Sequence, residues 1–199
     1  EDKMKRTYII VLILCLLTTS FAFASDKDDF SSEAGQLRIG ENRRLSVTLY
    51  KQDEDNFCGP ACLQMAIKYL ENNKISQYTL AQGITDASGT IPISIANRAN
   101  QYVGAGTYRH IGTWETTTKG SFYDNLRNSI IAGKPVFCQV KTRQLPNYVG
   151  ATKNYGHWVL ATGYVIQAGA TTQIAVYYND PINKDQHYGS FSTYLETME

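Results

Sequence analysis

The stretch Gln52-Asp53-Glu54-Asp55-Asn56-Phe57-Cys58-Gly59-Pro60-Ala61-Cys62-Leu63-Gln64-Met65 sets a thiol where a polar loop turns into a helix. Pro60 suits an early helical position, because the N–H it lacks would have no intrahelical partner there. Gly59 lets the backbone pass close to whatever the sulfur attacks. Met65, Ala66, Ile67, Tyr69 and Leu70 supply an apolar face for burial. The unpaired N–H groups and dipole of a helix start favour a thiolate over a thiol. Cys58 therefore reads as a candidate nucleophile, on a helix running to about Leu70 and ended by Asn72-Asn73.

Leu45 to Tyr50 alternates apolar and polar residues and reads as a first strand. Downstream of the cysteine helix, Tyr78 to Ile84 suits a short second helix. Pro92 to Val103 and Ser121 to Ala132 both have helical spacing, with Gly133 as the stop of the latter. Three strand-like runs follow: Pro135–Val140, His157–Ile166 and Ile174–Asn179. Phe191 to Glu199 reads as a short helix or an edge segment. Helices first and strands afterwards predict an α+β domain rather than repeated βαβ units.

Met4 to Ala24 has the form of a secretory signal: Lys5 and Arg6, an apolar run from Tyr8 to Leu17, then Ala22-Phe23-Ala24 as a small-x-small cleavage site. The run is short for a membrane span. It implies an exported protein, secreted or periplasmic, with no stable membrane insertion after processing. Ser25 to Arg44 is polar and reads as a flexible leader or short pro-segment, which puts the folded domain at 45–199. Removing residues 1–24 takes away three of the 19 basic and two of the 18 acidic residues, leaving 16 of each. No basic stripe or net field for nucleic acid remains.

The chemistry of a nucleophilic thiol asks for a base, an orienting group and an oxyanion donor. Among three histidines, His157 is the best mounted: it follows Gly156 at the start of a strand, whereas His110 and His187 fall in polar connections. Asp180 ends the next strand and comes back beside His157 if the two strands are antiparallel neighbours; taken alone, it is a turn residue before Pro181. Asn179 should face the other way, since strand side chains alternate. Gln52, an ordinary loop residue by itself, can set a side-chain N–H beside that of the Cys58 backbone.

Gln52 six residues before Cys58-Gly59-Pro60-Ala61, then Gly156-His157-Trp158-Val159 with Gly163-Tyr164, then Asn179-Asp180-Pro181, together resemble papain-like cysteine peptidases. The nearer match is the bacteriocin-processing type, cysteine peptidase family 39, and its secreted relatives. The resemblance spans about Tyr50 to Pro181. It implies Cys58 as nucleophile, His157 as general base and acid, Asp180 as orienting residue and Gln52 as oxyanion donor. It also implies a catalytic helix packed on a twisted antiparallel sheet, and a peptide or protein substrate. Family members best known for cutting leader peptides are fused to export transporters; this sequence carries a signal-like segment instead.

Other readings use the same residues. A silent binding domain would keep the fold, and a transferase or deamidase would keep the triad and change what resolves the thioester. Thiol–disulfide exchange through Cys58 and Cys62 meets a Cys-x3-Cys spacing rather than Cys-x-x-Cys. No cofactor is called for, and no metal, since no two histidines have ligand spacing. Of the cysteines beyond the signal, Cys62 and Cys138 either pair, leaving Cys58 free, or are two small buried hydrophobes.

Overall fold

A computed structural model describes residues 39–112, 119–145, 148, 155–167, 174–182 and 185–190. The signal-like segment, most of the leader and the stretch from Phe191 to Glu199 lie outside them. Strand β1 (Ile39–Arg44) is followed by α1 (Cys58–Glu71) and α2 (Gln77–Ala81), then the two-residue strands β2 (Thr85–Asp86) and β3 (Gly89–Thr90). Helices α3 (Pro92–Val103) and α4 (Lys119–Ile131) lead into β4 (Val136–Lys141), β5 (Gly156–Gln167), β6 (Ile174–Asp180) and β7 (Asp185–Ser190). The fold is α+β, as expected.

The twelve-residue β5 organises the sheet. Its first half pairs with β4 and its second half with β1, so those two strands share one edge of β5; β6 lies on the other edge and β7 beyond it. All pairings are antiparallel. The β5–β6 register slips between Ala161 and Gly163. At that bulge β1 comes in close: a Cβ on Gly163 would stand 2.8 Å from Arg44 Cα and 3.1 Å from Tyr177 Cδ2.

Helix α1 is more deeply set than one apolar face suggests. Its first ten residues, Cys58 to Ile67, are all buried, as in a helix packed on every side. Its Leu63 and Ile67 share one core with Leu80, Ile95, Leu160 and Tyr178. The helix stops at Asn72, which takes the left-handed conformation (φ 54°) that asparagine tolerates. Lys68 Nζ caps the end, 3.2 Å from the Asn72 carbonyl and 2.6 Å from its Oδ1, with the charge sign that the dipole favours. Gly133 (φ 75°) ends α4 as anticipated, its N–H reaching Ile130 O at 3.0 Å.

Some boundaries differ from the sequence reading; the second helix, expected over Tyr78 to Ile84, is Gln77–Ala81. Leu45 to Tyr50 is not a strand, although Leu45 and Val47 are core residues; the alternation reported burial, not ladder pairing. The strand is the preceding polar Ile39–Arg44, so those residues belong to the folded domain rather than to a flexible leader. Glu41 holds β1 down, accepting from Arg127 of α4 at 2.8 and 2.9 Å and from the hydroxyl of buried Tyr164 at 2.5 Å. Strand β7 has no alternating pattern and owes its state to pairing with β6. No helix among the described residues is long and apolar enough to cross a membrane.

Gly163→Ala is expected to destabilise the domain by about 1–3 kcal/mol, because backbone rather than a flexible side chain must yield. A lowered urea midpoint at unchanged m-value checks this.

Candidate active site

Cys58 is the first residue of α1 and is 8% exposed. The capping position, Phe57, supplies no side-chain acceptor, and no acidic residue lies in the first turn. Helix geometry leaves the N–H groups of Cys58 and Gly59 without intrahelical acceptors, and Pro60 has none to offer. The start of α1 thus presents positive potential that no side chain of its first turn cancels. Gly59 has a different task from the one its sequence position suggests. A Cβ there would lie 2.6 Å from Thr90 Cβ, so its bareness lets the β2–β3 hairpin seat against the helix start. Thr90 also accepts the Trp158 indole N–H at 3.2 Å.

His157 is 2% exposed, on β5 opposite Val140 of β4. Leu160 pairs with Asn179 across β5 and β6. Asp180 therefore stands diagonally from His157 on the same face, within reach for cross-strand side chains. His157 Nε2 and Asp180 Oδ1 are 2.9 Å apart. The Cys58 thiol at the start of α1 also acts on the ring. Burial works to lower the His157 pKa, but the hydrogen bonds and negative charges of Asp180 and Cys58 outweigh it and raise it to about 9.

Asp180 meets both the His157 ring and the turn at Pro181. Its Oδ1 also accepts the Ile182 N–H at 3.0 Å, closing the turn at Pro181. Its Oδ2 accepts the Tyr148 hydroxyl at 3.1 Å. Tyr148, whose ring centroid is 6.2 Å from that of His157, was not anticipated, since it lies in a connection with no periodicity. Asn179 turns away from the imidazole, donating to Val47 O at 3.2 Å and touching Met65 Sδ at 3.6 Å.

Gln52 is tied to the same corner: its backbone N–H donates to Pro181 O at 2.9 Å. Its side-chain Nε2 lies 2.8 Å from Glu54 O and 2.9 Å from Asp55 O. Two carbonyls around one end of the amide identify that end as the nitrogen. Of the predicted residues, His157 and Asp180 are hydrogen-bonded, Cys58 acts on the His157 ring, and Gln52 reaches the same corner through the Pro181 carbonyl.

A sequence profile of the Peptidase_C39 like family matches residues 44–198. The chain belongs to this cysteine-peptidase-like family. The match covers the loop of Gln52, all of α1, and β5 and β6 with His157 and Asp180. No curated protein and no solved structure matches the chain.

Cys58, Cys62 and Cys138 are three unbridged, buried thiols, so Cys62 and Cys138 follow the second of the two readings. Burial pushes Cys62 well up, helped by the neighbouring charges of Cys58 and Asp180, while its Sγ sits 3.6 Å from Trp158 O. Burial likewise pushes Cys138 up to about 12, against a weaker opposing bond from the Ala161 backbone. No cluster of three or more potential metal ligands occurs among the described residues.

The raised imidazole pKa carries a sign. The ion-paired form of His157 stabilises the folded state fully below the ordinary value of 6.5, and that contribution is lost as pH rises through about 9. An NMR titration of the His157 ring should show its midpoint near 9. Asp180→Asn should move the midpoint down towards 6.5; an unmoved midpoint would mean that the carboxylate is not what holds the proton.

Proposed function

We propose that the protein is an exported thiol hydrolase that cleaves peptide or amide bonds, with Cys58 as nucleophile, His157 as base and acid, Asp180 as orienting residue and Gln52 as oxyanion donor. The observation that carries this reading is the buried imidazole hydrogen-bonded to Asp180 at 2.9 Å, with its pKa raised by both Asp180 and the Cys58 thiol of the helix start. A histidine in this position takes the thiol proton and keeps it as imidazolium beside a thiolate. Family membership supports the same chemistry.

In this mechanism the thiolate adds to the carbonyl carbon, and the carbonyl π-electrons move to oxygen. The Cys58 N–H at the helix start and the Gln52 amide receive that oxygen. Gln52 must exchange one of its contacts with Glu54 O or Asp55 O for the oxyanion. The exchange is favourable, because a charged acceptor binds an N–H more strongly than a neutral carbonyl. His157 then protonates the leaving amine, which departs as the C–N bond breaks and leaves a thioester on Cys58. Water, deprotonated by His157, attacks the thioester and releases the acid and the thiol. The buried site limits how much water competes before the amine leaves.

Export rests on the signal-like segment Met4–Ala24, and a peptide or protein substrate rests on the family.

Cys58→Ala should abolish turnover of fluorescein-labelled casein with little change in urea midpoint; equal turnover by the variant sinks the peptidase reading. His157→Ala should be more damaging than Asp180→Asn, because an amide can still orient the ring; the opposite ranking would mean that another group is the base. At neutral pH, iodoacetamide followed by peptide mass mapping should find label on Cys58 and not on Cys62 or Cys138.

A further inference from the structure

Gln77 is the first residue of α2, is 1% exposed, and plays no part in the chemistry above. Its side chain is nonetheless the most fully used amide near the site. Nε2 donates to Lys51 O at 2.8 Å and to Gln64 Oε1 of α1 at 3.2 Å, and Oε1 accepts the Asp53 N–H at 2.9 Å. Gln64 is held in turn, donating to Ile75 O at 2.6 Å.

Lys51 O belongs to the peptide group before Gln52, and Asp53 N to the peptide group after it. Those two planes fix the backbone dihedrals of Gln52 and, with them, the direction of its Cα–Cβ bond. The Gln52 N–H, on the first of these planes, is anchored to Pro181 O. The loop that carries the proposed oxyanion donor is thus clamped between α1, α2 and the Asp180-Pro181 turn. Only an amide suits this clamp, since it offers one donor end and one acceptor end on a single plane. A carboxylate would set oxygen against Lys51 O and Gln64 Oε1.

We propose that Gln77 is the positioning residue of the oxyanion donor: by gripping both peptide groups that flank Gln52, it sets where Gln52 presents its side-chain amide relative to the Cys58 sulfur. The proposal rests on the reading of Gln52 given above. Oxyanion donors are effective only when held at the right place before charge develops, which is what a buried clamp on the backbone provides.

Two reactions of the same sulfur separate this role from a merely structural one. Acylation by p-nitrophenyl acetate develops negative charge on a carbonyl oxygen; alkylation by iodoacetamide does not. Gln52→Ala should slow acylation by about 100-fold, the scale of one oxyanion donor, and leave alkylation unchanged. Gln77→Ala, and Gln77→Glu, which retains the Asp53 contact but sets oxygen against Lys51 O, should slow acylation by roughly tenfold, a partial loss of that donor, and leave alkylation unchanged. Added to Gln52→Ala, either change should slow acylation no further, the non-additivity of residues acting through one another. If Gln52→Ala slows acylation and the Gln77 variants do not, the clamp is refuted and the Gln52 reading stands. The clamp is equally refuted if the Gln77 variants slow both reactions alike or act in full on the Gln52→Ala background. If Gln52→Ala leaves acylation untouched, both fail together.

Discussion

The pairing of β5 with β6 is the constraint on which the site depends. Leu160 lies opposite Asn179, and this register alone puts Asp180 on the face of His157. A slip of one residue would send Asn179 to that face and Asp180 to the other. Several features hold the register. The bulge at Thr162 and bare Gly163 admit β1 against the second half of β5. Leu160 and Tyr178 are fully buried on the paired strands. The turn after β6 is closed by Asp180 itself, through the Ile182 N–H. The carboxylate that orients the ring therefore also fixes the end of the strand that delivers it.

Burial makes this arrangement costly unless every charge finds a partner. A lone carboxylate as buried as Asp180 would be strongly destabilising. Here it receives the imidazole, a backbone N–H and the Tyr148 hydroxyl. Two groups that can each be negative, Asp180 and Cys58, act on the imidazole, and this is why its pKa rises although burial acts to lower it. Removing the carboxylate or the imidazole leaves the other buried with less compensation, so that pair stands or falls as a unit.

Much of this was legible in the sequence. Helical spacing located Pro92–Val103 to the residue, and Gly133 and Asn72 marked helix ends because each takes a left-handed backbone. The order of residues and the alternation of strands sufficed to match Asp180 rather than Asn179 with His157. What was not legible depends on contacts distant in sequence. The polar run Ile39–Arg44 becomes a strand through β5, Glu41 and Arg127. Gly59 is required by Thr90, thirty-one residues later in the chain. Tyr148 and Gln77 carry no local pattern; an aromatic in a loop and a glutamine at a helix start are ordinary until the backbone brings Asp180 and Lys51 to them.

The three thiols show why position outweighs residue type. Cys58 and Cys62 lie one turn apart on the same helix and both are buried. Only Cys58 stands at the helix start, where it helps to raise the His157 pKa. Cys62 meets the Trp158 carbonyl, an acceptor that disfavours a negative sulfur, and the charges nearest to it are those of Cys58 and Asp180. Ionising Cys62 would add a negative charge beside the very charges that the site maintains. Two thiols one helical turn apart in the same core thus meet different surroundings, and those of Cys62 keep its proton on.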